Sequence, residues 1–270
     1  KKGSFCYAKA MVIKMQSQTS SHRTALVTGA GMGIGRGIAL ELAKAGYDIA
    51  IHYTHSADPA QKTAAEAEAL GVKAVTIKSD LTSKSGVDSL FSEFSRNFNH
   101  LDLYVNNAGV TKTSDFPDLT EADFDLMADL DLKGSYYCIA AAAKLMEATG
   151  GSIVIISSNN AHMNTPRAAA YAAVKAGLSH LSRHAAVELA RYKIRVNTIS
   201  PGWTDTRSPR LAPKESTYYK IPLKRWVEPS EIGKTVLFLD SPAAASITGA
   251  EIVMDGGASL MSDLPEKYGL

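Results

Sequence analysis

Two cysteines in 270 residues are too few for a disulfide framework, and Cys6 and Cys138 lie too far apart to fit a metal-ligand spacing. No apolar run approaches the length of a membrane span; the richest, residues 139–145, is mostly alanine and contains Lys144. An excess of either charge is also missing, since 29 basic and 27 acidic residues leave a net +2. Nothing electrostatic therefore points to nucleic acid or a membrane as partner. These absences leave small-molecule chemistry in a reducing, cytoplasmic setting as the expectation. Acidic residues are absent from the N-terminal stretch, which carries Lys1, Lys2, Lys9, Lys14 and Arg23 and a possible natural start at Met15. A transit peptide has that composition, and a tag-like or frayed leader fits equally well. Residues 1–22 are set aside as a leader, with 23–270 as one folded domain.

Apolar residues make up 45% of the chain, enough for a sizeable core. Beyond Arg23, short apolar runs alternate with longer helical stretches, the pattern of βαβ units and a parallel sheet. The expected strands are 25–28, 48–52, 73–78, 103–106, 152–157, 195–199 and 251–254. The expected helices are 33–45, 59–70, 84–98, 121–149, 167–192 and 229–240. Most of the strands read as continuous apolar runs, as they do when helices cover both sheet faces. The fold class is thus α/β, a doubly wound parallel sheet of seven strands in a single domain. Helices 121–149 and 167–192 are long and rich in alanine, which predicts packing against further copies of the chain. Residues 206–226 break the βα rhythm with several prolines, Tyr218, Tyr219 and a scatter of Lys and Arg, as a lid over a binding site does.

Gly29, Gly33 and Gly35, with Met32 and Ile34 between them, fall at the first strand-to-helix junction. Absent side chains there let pyrophosphate approach the helix N-terminus. An NAD site places Asp or Glu at the end of the second strand to bond the ribose hydroxyls. Here the chain reads Tyr53-Thr54-His55-Ser56, with no carboxylate to repel a 2′-phosphate. Thr54, His55, Ser56 and Arg36 are donors for that phosphate, which favours NADP over NAD. His52 and His55 have a blander reading as surface or strand-end histidines. Asp80, before Leu81 at the end of the third strand, can accept from the adenine amino group or cap a helix. In Asn106-Asn107-Ala108-Gly109, Asn106 reads as structural and Asn107, Ala108 and Gly109 as lining the cofactor.

Tyr171 and Lys175 share one helix face, and Ser158 ends the fifth strand. A free tyrosine, with a pKa of about 10, is a poor base at neutral pH. A lysine ammonium and an oxidised nicotinamide both stabilise its phenolate. With these motifs, Pro201-Gly202 followed by Thr204 and Thr206, Thr248-Gly249 and Asp255-Gly256-Gly257, the chain resembles the single-domain short-chain dehydrogenase/reductases over residues 23–260.

The resemblance implies a Rossmann fold, a homotetramer and hydride transfer with Tyr171 as general acid/base. It implies that Ser158 orients the carbonyl, that Lys175 bonds the nicotinamide ribose, and that Pro201, Gly202, Thr204 and Thr206 hold the carboxamide end. One position departs from the family. Asp131 stands where an asparagine usually holds a water on the proton relay, and it is expected to take part in catalysis. Asn160, His162, Met163 and Trp203 are the substrate-pocket candidates. The expected reaction is NADP(H)-dependent reduction of a ketone, or the reverse. An NAD-dependent sugar or polyol dehydrogenase is one alternative, and a cofactor-binding sensor without turnover is another.

Overall fold

The computed structural model describes residues 22–207 and 215–261. Within them a seven-stranded, all-parallel sheet runs in the order β3-β2-β1-β4-β5-β6-β7. Its strands are β1 Thr24–Val27, β2 Asp48–Tyr53, β3 Ala74–Lys78, β4 Leu103–Asn106, β5 Gly151–Ile156, β6 Ile194–Pro201 and β7 Glu251–Met254. The helices are α1 Gly33–Lys44, α2 Ala57–Glu68, α3 Lys84–Asn97, α4 Glu121–Met127, α5 Ser135–Met146, α6 Ala169–Leu189, the short α7 Glu215–Tyr218, and α8 Pro229–Asp240. The doubly wound α/β fold expected from the sequence is present. Strand order reverses between β1 and β4, so the turns leaving those two strands open a crevice at the carboxyl end of the sheet.

Helices cover both faces. Ala25 and Val27 of β1 point into a core shared with α1, α2 and α8. Leu26, between them, points into the opposite core with α3, α5 and α6. This alternation is why the strands read as unbroken apolar runs. At the crossing of α1 and α8 a side chain on Gly37 would collide with Pro229, so the missing Cβ sets the helix separation.

A polar clamp ties β1 and the loop before β2 to the end of α8. Arg23 grips the Asp240 carboxylate from two nitrogens, the nearer at 2.6 Å, and the Tyr47 hydroxyl donates to the same group. Burial and Asp240 push the Tyr47 phenol well above its usual value. Asp240 is 1% exposed, and its removal takes the acceptor from the Tyr47 hydroxyl and the ion pair from the half-exposed Arg23. Asp240→Ala is therefore expected to cost about 3 kcal/mol, read as a lower urea midpoint at unchanged slope.

Two expectations are corrected. The stretch 121–149 is not one α-helix: α4 passes into a π-helical segment, Ala128–Gly134, before α5 begins. Gly134 lies so close to the Leu81 carbonyl that a Cβ would overlap it, and Asp131 is drawn inward to bond the loop after β4. A regular helix cannot meet both contacts. Second, α6 begins at Ala169, because Arg167 adopts a left-handed backbone (φ 69°) and accepts from Ser114 N–H through its carbonyl. The expected lid contains the short α7, and the irregular stretch that follows it is packed. Ile221 and Trp226 pack with Ala258, and the Trp226 indole donates to Thr217 at 2.8 Å. Lid residues 208–214 and the leader residues 1–21 lie outside the described residues.

Candidate active site

The glycine turn after β1 is closed by its neighbours. Thr28 Oγ1 accepts from the N–H groups of Asn107 and Ala108, at 2.9 and 3.0 Å, and the Asn107 amide donates to the carbonyls of Thr28 and Gly29. The turns leaving β1 and β4 are thus stitched across the crevice. Asn107, expected to line the cofactor, gives its side chain to this seam. Gly29 and Gly33 have positive φ (63° and 55°), and a Cβ on Gly33 would come within 3.3 Å of Thr206. That leaves a bare peptide cradle at the N-terminus of α1, with the Thr206 hydroxyl-bearing side chain beside it. A diphosphate fits such a cradle, because exposed N–H groups and the helix dipole both favour an anion. An open cleft of about 790 Å³ borders it, lined in part by Met32, Arg36, Thr206 and Pro229.

Sequence reasoning missed the support beneath this turn. His52 is buried in β2; its Nδ1 accepts from Gly29 N–H at 3.1 Å and its Nε2 lies 3.1 Å from the Ser79 carbonyl. Those partners require the neutral tautomer carrying hydrogen on Nε2. Burial lowers the pKa of the imidazole to about 4, against the smaller upward pull of Ser79 and Asp80. The unfolded chain, with His52 near 6.5, binds a proton that the folded chain refuses between those values. Stability is accordingly complete above about pH 6.5 and falls as pH drops toward 4, by on the order of 3 kcal/mol. His52→Gln is expected to flatten this acid sensitivity in melting temperatures measured from pH 7 to pH 4.5. The signal was indistinct, because a histidine at a strand end is as often exposed.

Around the β2 end, Thr54 is half-buried, His55 is exposed and Ser56 occupies the N-cap of α2 without its hydroxyl capping the helix. Arg36 is corrected as a free donor: its guanidinium is paired with Glu66 at 2.5 Å. Asp80 bonds the N–H and hydroxyl of Thr82, which hold its carboxyl below the usual range, while Ser83 caps α3 instead. Leu81 is packed in the core, so only its backbone is available at the rim. Asn106 is structural as read, bonded to Tyr104 and Ser135 in the interior.

On the other side of the crevice, Ser158 lies two residues beyond β5 at the start of a 3-10 turn, and its Oγ accepts from Asn160 N–H at 3.2 Å. Its own hydrogen remains to be donated outward. Tyr171 is half-buried on the first turn of α6, and the Lys175 ammonium sits 5.7 Å from its ring centre. Lys175 is buried, which pulls its pKa down, but Asp131 and Tyr171 together more than offset this and hold it above the ordinary value. Asp131 Oδ2 lies 3.0 Å from Lys175 Nζ, and Oδ1 accepts from Val110 N–H at 2.8 Å. The close fit needs Gly109: a Cβ there would stand 2.8 Å from Asp131 Oδ2 and 3.2 Å from Lys175 Nζ.

This arrangement supplies a hydroxyl donor, a phenol and a buried cation at one end of a peptide cradle. A model of the family described as enoyl-(acyl carrier protein) reductase matches residues 29–259. The chain belongs to the short-chain dehydrogenase/reductase family. Members of this family are oxidoreductases of alcohol and carbonyl groups. It is 38% identical to 3-oxoacyl-[acyl-carrier-protein] reductase FabG of Staphylococcus epidermidis, over 87% of this chain and 98% of that protein. L-rhamnose 1-dehydrogenase (NAD(P)(+)) of Sphingomonas sp. is 36% identical, with 87% and 95% covered. Among solved structures, angucycline C-6 ketoreductase LanV with bound NADP is similar at a TM-score of 0.84 and 34% identity, over 88% of this chain and 96% of that one.

Within this dehydrogenase/reductase site the remaining substrate candidates separate. One end of the Asn160 side chain, Oδ1, is buried beside Ser158 without a partner among the described residues. Met163 is half-buried after β5. The Nε2 of His162 is bound to Glu251 at 2.7 Å, and Glu251 also accepts from Ser179 and Ser200. The imidazole joins the loop after β5 to β7 through Nε2. Trp203 packs on the cluster of Ile221, Trp226 and Ala258. Pro201 and Gly202 follow the rim, where a Cβ on Gly202 would reach 2.5 Å from Asp255 Cβ. Thr204 donates to the Gly202 carbonyl and bridges to Val227. Asn159 and Asp255, bonded at 3.2 Å, brace this corner; Asp255 belongs to a motif that carries the family resemblance, whereas Asn159 was not singled out by the sequence.

Proposed function

We propose that the protein reduces a ketone to a secondary alcohol with NADPH, or runs the reverse reaction with NADP. The observation that carries this reading is the buried Lys175 ammonium one turn from Tyr171 and beside the strand end bearing Ser158. Gly29, Met32, Gly33, Ile34 and Gly35 would hold the diphosphate through their backbone, with Thr206 beside them. Thr54, His55 and Ser56 would take the 2′-phosphate, and Asp80 with the Leu81 backbone the adenine. Asn107, Ala108 and Gly109 would wall the ribose and nicotinamide, and Pro201, Gly202 and Thr204 the carboxamide.

A bound nicotinamide supplies the hydride in reduction and accepts it in oxidation. The side chains do the rest. Ser158 donates a hydrogen bond to the substrate oxygen, and Tyr171 passes its hydroxyl proton to that oxygen as negative charge develops there. Lys175 stabilises the phenolate left behind and bonds the ribose hydroxyls. Support for NADP comes from the absence of a carboxylate at Tyr53 to Ser56 and from the NADP held by the LanV neighbour. Exposed Tyr136 on α5 and Val187 on α6 support a homotetramer built on those helices. The buried, unpaired thiol of Cys138 supports a reducing, cytoplasmic setting. None of the helices among the described residues is long and apolar enough to cross a membrane.

The unmatched amide end of Asn160 favours a second reading, a hydroxylated substrate such as a sugar oxidised with NAD. Side-by-side fluorescence titrations with NADPH and NADH decide between them. Tighter NADPH binding is expected, followed by turnover in a screen of small and medium ketones; tighter NADH binding would move the assignment to sugars and polyols. Binding of either without turnover on any carbonyl or alcohol would favour a sensor.

A further inference from the structure

Asp131 is fully buried at the centre of the π-helical segment, and it meets Lys175 directly at 3.0 Å. A water relay built on an amide has no place in that contact. Lys175 has little else to balance its charge: among its described neighbours, the Ile156 carbonyl is 3.5 Å away. An uncompensated buried ammonium is costly, whereas a close carboxylate with a further hydrogen bond offsets much of that cost. Val110 N–H provides that further bond.

The position of the pair is as informative as its distance. Gly109, in the loop after β4, packs directly on both: a Cβ there would stand 2.8 Å from Asp131 Oδ2 and 3.2 Å from Lys175 Nζ. Other ionisable groups stand clear. From α6 only Tyr171 faces Lys175; the loop after β4 and the end of β5 contribute backbone and Ser157; Asp129 and Lys133 pair with each other on the exposed side of the π segment.

On the reading that this crevice holds a nicotinamide cofactor, we propose that Asp131 is a positioning residue that cancels the charge of Lys175 and so favours the oxidised, cationic cofactor over the reduced, neutral ring. An amide at this position keeps one acceptor for the two donors, Val110 N–H and the ammonium, and leaves a whole positive charge beside a cationic ring. The ratio of dissociation constants for the two redox forms reads that charge directly. Contacts to phosphate and ribose, common to both forms, cancel in it.

The test is equilibrium binding of NADP⁺ and NADPH at pH 7 to the full chain and to Asp131→Asn. The variant is expected to raise the ratio Kd(NADP⁺)/Kd(NADPH) by about three- to ten-fold, the size of one charge acting across a partly screened site. In alcohol oxidation its pH profile is expected to move toward acid, because an unopposed Lys175 stabilises phenolate more strongly. A ratio and profile unchanged within error overturn the proposal. Should Asp131→Asn fail to fold, Lys175→Gln and the double variant Asp131→Asn/Lys175→Gln carry the same comparison. The lone lysine substitution, leaving Asp131 unopposed, is expected to give the lower ratio, and equal ratios in the two overturn the proposal. A parent protein that binds no nicotinamide dinucleotide would instead overturn the functional reading on which this inference rests.

Discussion

Tyr171→Phe is expected to lower kcat by about 10³-fold while the NADPH dissociation constant stays within about three-fold of the parent. The substitution keeps the ring, which is half-buried on α6, and removes only the hydroxyl. Lys175 stays in place because its close ionic partner is Asp131, at 3.0 Å. Ser158 also keeps its orientation, since its oxygen is held by Asn160 N–H and not by the tyrosine. What is lost is therefore the proton given to the substrate oxygen, and the loss should fall on the chemical step. Single-turnover reduction of a ketone in the presence of saturating NADPH separates that step from binding. Residual activity within about ten-fold of the parent would mean that water or Ser158 supplies the proton.

Gly35→Ala is expected to weaken dinucleotide binding by about 100-fold and to lower the melting temperature by several degrees. A Cβ at this position would overlap the Gly29 carbonyl, reach 2.6 Å from Asn107 Nδ2 and 2.9 Å from Ala30 Cα. None of these neighbours can swing aside. Two are backbone atoms, and Asn107 is the amide that ties the turn after β1 to the turn after β4. The turn would have to open, and the peptide N–H groups would lose their convergence. Gly46→Ala makes a clean control. A Cβ there meets nothing within 4 Å, yet its φ of 85° penalises any side chain, so stability should drop without a change in cofactor affinity. Equal loss of affinity in both variants would show that Gly35 acts only through general stability.

The seven strands and the crevice at their carboxyl ends were legible because a two-faced parallel sheet leaves a mark in every strand. Leu103–Asn106 and Glu251–Met254 fall where the apolar pattern places them, and the other strands differ from expectation only near their ends. Contacts between distant residues were not legible. Arg36 looks like a free donor until α2 brings Glu66 to it, and His162 gives no sign of the Glu251 that β7 brings to it. The interruption of the long helix by a π segment has the same origin, since the Leu81 carbonyl that crowds Gly134 belongs to another loop. His52 shows the limit within a single strand. Its alternation places it on a face, but only the Gly29 and Ser79 partners reveal that it bears on the glycine turn.

A π-helical segment is an α-helix carrying an inserted residue, so the stretch Ala128–Gly134 can be regarded as an editable register mark. Deleting one residue just before Asp131 would let the helix run on regularly and turn the following positions by about 100°. The carboxylate would then leave Lys175, and the buried face of α5 would turn with it. Gaining or losing a single residue here re-aims the charge beside the crevice in one step, where point substitution alone would have to change the residue and then find it a new direction.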